Sequence, residues 1–295
     1  MNWLLVEENV KRALNEDLQY GDITTESVVL NHKIAKVDII AKEKGVIAGT
    51  EVFKMVFKIL GDVEVDFSVN DGEEVEKGQY FGQVSGDAKK ILMGERVALN
   101  YMQRMWGIAT LNREFVERLE GTKVKLLDTR KTTPNMRIFE KYAVKVGGGT
   151  NHRFGLNDGV MIKDNHIEAA GGIKNAVSLA RKNSPFVRKI EVEVESIEQL
   201  KEALETKADI IMLDNMDIKT LKEAVKLIDN RAEVEASGNV TLDNIREIAK
   251  TGVDFISTGA VTHSFKVLDI SMKNFRYRSE EHTSELQSQA MISYA

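Results

Sequence analysis

Apolar positions along the chain follow two rhythms, and the change between them divides the sequence. In the first hundred or so residues, helix-like and strand-like spacings are mixed. Leu5, Val6, Val10, Ala13 and Leu14 keep near-helical spacing behind Asn2, which predicts a capped helix to about Leu14. A turn is expected at Tyr20-Gly21-Asp22. Ile34–Ala41 alternates as a strand, Thr50–Leu60 turns Val52, Met55, Val56 and Leu60 inward as a helix, and Val63–Val69 returns as a strand, which makes a compact α+β unit. Ala88–Met105 then carries Ile91, Leu92, Ala98, Leu99, Met102 and Met105 on one helical face, and Gly107 is expected to interrupt it before a second helical run to Leu119.

Beyond Gly121 the texture becomes repetitive, each short apolar run being followed by an amphipathic segment. Val124–Leu127 and Val160–Ile162 read as buried strands; Lys189–Val194 precedes a helix from Ser196 to Glu205, Ile210–Leu213 precedes Lys219–Ile228, and Glu233–Ala236 precedes Leu242–Lys250, with Phe255–Ser257 as the last run. Strands alternating with helices predict a parallel sheet, and this many units predicts an α/β barrel. What ends the strands recurs as well: Asp128-Thr129-Arg130-Lys131, Lys163-Asp164, Glu193, Asp214-Asn215, Ser237-Gly238-Asn239 and Thr258-Gly259-Ala260. Polar groups at the same end of unit after unit imply one shared pocket at the carboxyl ends of the strands.

The clusters Arg130-Lys131, His152-Arg153 and Lys163 bring cations to that end with little acid beside them, which suits a strongly anionic ligand. Arginine in particular suits planar carboxylates or phosphates through paired hydrogen bonds. The two late turns, at Ser237-Gly238-Asn239 and at Thr258-Gly259-Ala260, follow consecutive strands and suit backbone capture of a phosphate. Gly147-Gly148-Gly149 has neither Walker nor dinucleotide spacing and reads as a flexible turn before His152-Arg153. Glu193 and Asp214 form the acidic side; they suit magnesium, sugar hydroxyls or acid–base work, and Asp214 competes with Asp217 for the cap of the next helix.

Composition narrows the setting. The 295 residues are 42% hydrophobic, enough for one large barrel or two domains, and contain no cysteine, which excludes disulfides, thiolate nucleophiles and cysteine-held zinc or iron–sulfur centres. A net charge of -5 argues against general nucleic-acid binding and makes the basic clusters a local site in an acidic protein. No apolar run approaches a membrane span and the first residues lack a signal-peptide pattern, so a cytoplasmic protein is expected. Arg278–Ser288 and Ile292–Ala295 resemble the translation of a sequencing-adapter read in one frame, so residues 278–295 are expected to be an artefactual, disordered tail, and His282 leaves the candidate list.

Long ordered motifs resemble the quinolinate phosphoribosyltransferase family: GERVALNYMQRMWGIAT (94–110), DTRKTTPNMRIFEKYAVKVGGGTNHRFGL (128–156), MIKDNH (161–166), IEVEVE (190–195), IIMLDNM (210–216), EASGNVTLDNI (235–245) and VDFISTGAVTHS (253–264). The resemblance implies an open α/β (TIM-like) barrel over residues 108–268, a separate N-terminal α+β sandwich domain over 1–107, and a segment, 269–277, that returns to it. It implies the reaction of quinolinate with phosphoribosyl pyrophosphate to give nicotinate mononucleotide, pyrophosphate and carbon dioxide, with Mg2+. A homodimer is implied, with assembly of three dimers into a hexamer left open. By motif, Arg104 would enter the neighbouring subunit's site, and Arg130 and Arg153 would bind the quinolinate carboxylates. Lys131, His152 and Lys163 would hold phosphoribosyl pyrophosphate, and Glu193 and Asp214 its ribose hydroxyls and the magnesium. The turns at Ser237, Gly238 and Asn239 and at Ser257, Gly259 and Ala260 would take the 5′-phosphate, with Lys131, Lys163, Glu193 and Asp214 as the catalytic set. Trp106 stands where the family often has Ser, and Asn135-Met136 where Gly-Leu is frequent. Two rivals are a related protein of molybdenum-transport operons and a non-catalytic phosphosugar sensor; the Arg104, Arg130, Arg153 set favours the dicarboxylate reading over the first, and Glu193 with Asp214 over the second.

Overall fold

The structure, a computed structural model, describes residues 1–277; the segment expected to be adapter-derived lies outside the described residues. The chain forms two compact units, one from Met1–Trp106 with residues 267–277, the other from Gly107–Lys266.

In the first unit Asn2 caps the helix Trp3–Leu18 by accepting the Leu4 N–H at 3.2 Å, and Val6, Val10 and Leu14 are its buried face. The expected turn at Tyr20–Asp22 leads into a short helix that the periodicity did not predict, Ile23–Val28, capped by Asp22 through the Thr25 N–H at 2.9 Å. The strands are β1 (Ile34–Ala41), β2 (Gly45–Val46), β3 (Val63–Phe67), β4 (Glu74–Val75) and β5 (Tyr80–Asp87), with the helix Thr50–Leu60 between β2 and β3. A four-stranded antiparallel sheet runs from the strand Ile270–Tyr277 through β1 and β5 to β3, and β2 pairs with β4. Phe53, Phe57, Phe81 and Trp106 are fully buried, the indole meeting Phe81 edge-on at 6.0 Å, so Trp106 serves as core. Arg276 ties the returning strand to β1 with two 2.9 Å bonds to the Asp38 carboxylate, which they hold well below the usual carboxylate range.

Gly107 does not break the connecting helix, which runs unbroken over Ala88–Arg118. A Cβ there would overlap the carbonyl oxygen of Lys266, so glycine is needed for close approach by another segment, a demand that helical propensity does not register.

The second unit holds β6 (Lys125–Leu127), β7 (Val160–Ile162), β8 (Ile190–Val194), β9 (Ile210–Asp214), β10 (Glu233–Ser237) and β11 (Phe255–Ser257), all parallel, in the order β6-β11-β10-β9-β8-β7. β6 and β7 are the two ends of this row, as in an open barrel. Ser196 and Asp217 cap the helices Ile197–Glu205 and Ile218–Ile228, accepting the Gln199 N–H at 3.2 Å and the Thr220 N–H at 2.7 Å. The helix expected over Leu242–Lys250 shrinks to Ile245–Ala249, because Thr241 and Asn244 bond each other in a turn ahead of it. The helices Arg137–Val146, Asp164–Ala170 and Ile173–Asn183 were not resolved by the periodicity. Among the described residues no helix is long and apolar enough to cross a membrane.

Candidate active site

Because side chains alternate along a strand, the inner face of the parallel sheet carries every second residue. Register places Glu193 of β8 beside Met212 of β9, Met212 beside Glu235 of β10, and Asp214 beside Ser237. At this end lies a cavity of about 580 Å³, a size suited to a small-molecule site. Arg130, Lys131, His152, Arg153, Lys163, Glu193, Asp214, Ser237, Gly238, Asn239, Ser257, Gly259 and Ala260 all line it. Arg104 is not among the lining residues and belongs to the first unit. Thr129 and Thr258, which the sequence places at strand ends without a role of their own, also line the cavity, and sequence reading missed Met161, Met212, Glu235, Val240 and His263 as lining groups.

The cationic side is concentrated. Among the described residues neither Arg130 nor Lys131 forms an ion pair with a carboxylate. Arg153 is half-buried and donates to the Gly159 carbonyl at 3.1 Å; burial, together with the like charge of Arg130, lowers its pKa. Two guanidinium groups that disfavour each other's charge are stabilised by an anion placed between them. Across the cavity Lys163 Nζ bonds the Glu193 carboxylate. Asp217 takes the helix cap, and the Asp214 carboxylate lies in the cavity, accepting from Asn215 Nδ2 at 2.6 Å.

The end lined by the two small-residue turns differs in kind. Gly238 and Asn239 both adopt left-handed backbone, φ 91° and 51°, and a Cβ on Gly238 would overlap the Asn215 side chain. Such a tight turn exposes backbone to a ligand without an intervening side chain. The second turn carries Gly259 into the short helix Ala260–His263, and the Ser257 hydroxyl before it is buried with no partner among the described residues.

Below the cationic wall lies a cluster that the sequence reading did not assign. His152 Nε2 is 3.2 Å from Glu191 and 3.4 Å from Glu235, both carboxyls almost fully buried, and each has one oxygen without a partner. Burial disfavours a charged imidazole here, but the two carboxylates outweigh it and push its pKa up to about 10. A charged ring carries hydrogen on Nδ1 as well, and the Arg153 N–H now bonded there at 2.6 Å must then turn away. Burial in turn raises the Glu191 pKa. The signal was present: Glu191 lies between Ile190 and Val192, and Glu235 between Val234 and Ala236, the same acid-in-apolar-strand pattern that marked Glu193.

An open α/β barrel whose strand ends gather arginines, lysines, two accessible carboxylates and two small-residue turns is the architecture of an enzyme for phosphorylated, multiply anionic substrates. The quinolinate phosphoribosyl transferase N-terminal domain family matches residues 22–106 and the C-terminal domain family residues 108–273. The chain is 46% identical over 286 residues to nicotinate-nucleotide pyrophosphorylase (carboxylating), chloroplastic, of Arabidopsis thaliana, covering 90% of this chain and 81% of that protein. It is 45% identical over 288 residues to quinolinate phosphoribosyltransferase (decarboxylating) 2b, mitochondrial, of Nicotiana tabacum, covering 91% and 82%. The crystal structure of NadC from Streptococcus pyogenes superposes with a TM-score of 0.91 at 42% identity, covering 95% of this chain and 99% of that one. The chain belongs to the quinolinate phosphoribosyltransferase family.

Proposed function

We propose that this protein transfers the phosphoribosyl group of phosphoribosyl pyrophosphate to quinolinate with decarboxylation, yielding nicotinate mononucleotide, pyrophosphate and carbon dioxide for NAD synthesis. The observation that carries the reading is the wall of Arg130, Lys131 and Arg153, the first two without a carboxylate partner among the described residues, lining one cavity with Glu193 and Asp214. Arg130 and Arg153 take the two carboxylates of quinolinate, and Lys131, His152 and Lys163 the pyrophosphate. The turns at Ser237–Asn239 and Ser257–Ala260 take the 5′-phosphate. Departure of pyrophosphate leaves positive charge on the ribose, which Glu193 and Asp214 face, so positioning and charge stabilisation suffice and no protein nucleophile is required. Once the pyridine nitrogen is bonded and positive, the adjacent C2 carboxylate leaves as carbon dioxide; its bonding pair stays on C2 in the ring plane, stabilised by the positive nitrogen, and a proton from solvent then forms the C2–H bond of nicotinate mononucleotide.

The two carboxylates also fit Mg2+: they are hard oxygen donors ending adjacent strands, and Asp214 is left to the cavity because Asp217 caps the helix. When bound, the ion would neutralise the departing pyrophosphate. We further propose a homodimer in which Arg104 serves the partner's cavity, and a cytoplasmic location in keeping with the sequence expectation.

Release of carbon dioxide from carboxyl-labelled quinolinate is the direct test, expected only when phosphoribosyl pyrophosphate is present. Quinolinate should also outcompete nicotinate by about a hundredfold or more, because a missing carboxylate leaves a cavity cation unpaired. Label release independent of phosphoribosyl pyrophosphate, or equal use of the two acids, refutes the reading.

A further inference from the structure

Asp128 directly follows β6 and Lys141 lies in the helix Arg137–Val146; neither lines the cavity, and their side chains are 0% and 1% exposed. Lys141 Nζ donates to Asp128 Oδ1 at 2.5 Å and to the His152 carbonyl at 3.0 Å. The same carboxylate accepts the His152 backbone N–H at 2.8 Å and Asn151 Nδ2 at 2.6 Å, and Asn151 Nδ2 also reaches the Lys141 carbonyl at 2.8 Å. Each charge here is costly to bury: burial pushes the Asp128 carboxyl pKa up and the Lys141 ammonium pKa down. Apolar side chains of similar volume commonly match or exceed the stability of such a pair, so stability alone is a weak reason for it. What the pair holds is specific. The Asn151–Arg153 segment has no helix around it, and Thr150 meets β6 by a single parallel bridge to Leu127. The ion pair grips His152 by both its backbone N–H and its carbonyl, one residue before Arg153.

We infer that Asp128 and Lys141 are positioning residues: their ion pair fixes the backbone at Asn151 and His152 and so sets where the Arg153 guanidinium and the His152 ring stand in the cavity. Its kinetic consequence rests on the quinolinate reading proposed above. Arg153 on this segment faces the dicarboxylate, whereas phosphoribosyl pyrophosphate meets the segment through His152 alone and is also held by Lys131, Lys163 and the turns after β10 and β11.

The test uses the full chain carrying Asp128→Leu with Lys141→Met, which removes both charges and leaves no unpaired one. In ligand-free protein the His152 amide should exchange its hydrogen about tenfold or more faster than in the wild type, since its acceptor is gone. The KM for quinolinate should rise about tenfold or more while that for phosphoribosyl pyrophosphate stays within about threefold, a split that general loosening does not produce. A folded double variant with wild-type exchange and wild-type kinetic constants overturns the inference, and so does an equal rise in both KM values. Should the double variant fail to fold, Asp128→Asn with Lys141→Gln removes both charges in nearly the same volume and weakens each bond to His152; the same split is then expected at about threefold, and its absence is equally decisive. A wild-type chain that does not use quinolinate sinks the proposed function, and the exchange rate of the His152 amide then decides the clamp by itself: faster exchange in the variant supports it and unchanged exchange overturns it.

Discussion

Glu193 and Asp214 face the ribose in the proposed reaction, where positive charge develops only as pyrophosphate leaves. Glu193→Gln or Asp214→Asn should therefore lower kcat by about a hundredfold or more with little change in the KM for quinolinate, measured by steady-state kinetics. Loss of quinolinate binding with unchanged turnover would remove both from this role. His152 gives a pH-dependent prediction. Its folded pKa, up to about 10, lies above the ordinary histidine value near 6.5, so its contribution to stability is complete below about pH 6.5 and is lost as pH rises through about 10. The thermal midpoint of the wild type should fall over that interval more than that of His152→Asn; parallel curves would show that the imidazole holds no extra proton. Thirteen of the fourteen candidate residues line the cavity, and most were legible because each short strand ends in polar groups or is followed at once by them, whereas His152 and Arg153 lie beyond the helix Arg137–Val146. Glu191 and Glu235 were not assigned, although both sit between apolar strand residues as Glu193 does. An acid in an apolar strand is equally consistent with a ligand contact and with a buried partner, and only the arrival of His152 from another loop decides between the two.

Element boundaries in the barrel were readable where a cap or a change of period marks them. Ser196 starts its helix as the sequence suggests, Asp217 takes the cap for which the sequence left it in competition with Asp214, and every expected barrel strand is present within a residue or two. One failure arose because the deciding partner is distant in sequence. Gly107 reads as a breaker by local propensity, yet the helix continues because glycine there admits the Lys266 carbonyl. Gly107→Ala would gain up to about 1 kcal/mol of helix propensity and meet overpacking of about 1–3 kcal/mol, so a net loss of stability is expected. Chemical denaturation of the variant measures it; a gain in stability would return Gly107 to the part of a tolerated irregularity. The short helices Ile23–Val28 and Asp164–Ala170 escaped for a different reason, having fewer than the two turns needed to show a period.

At the scale of the molecule Arg104 stands apart, as the one candidate residue that the cavity lining does not include. It lies in the first unit, whereas Lys163 ends β7 in the second, and in the proposed dimer each cavity takes Lys163 from one chain and Arg104 from the other. Arg104→Ala and Lys163→Ala should then each leave the homodimer nearly inactive, since both cavities carry the lesion. A mixed dimer distributes the lesions unevenly: one cavity receives both substitutions and the other receives neither. Random one-to-one assembly makes about half the dimers mixed, each with one intact cavity of two, and so restores about a quarter of wild-type activity. Restoration depends on subunits meeting during assembly, so the two variants should be co-expressed or co-refolded with different affinity tags, and the doubly tagged species isolated before assay. Isolated mixed dimers should show about half the wild-type activity, because every one of them then contains an intact cavity. Activity no higher than that of either parent, in dimers shown to carry both tags, would mean that Arg104 does not complete the partner's cavity and that any role it has lies within its own chain.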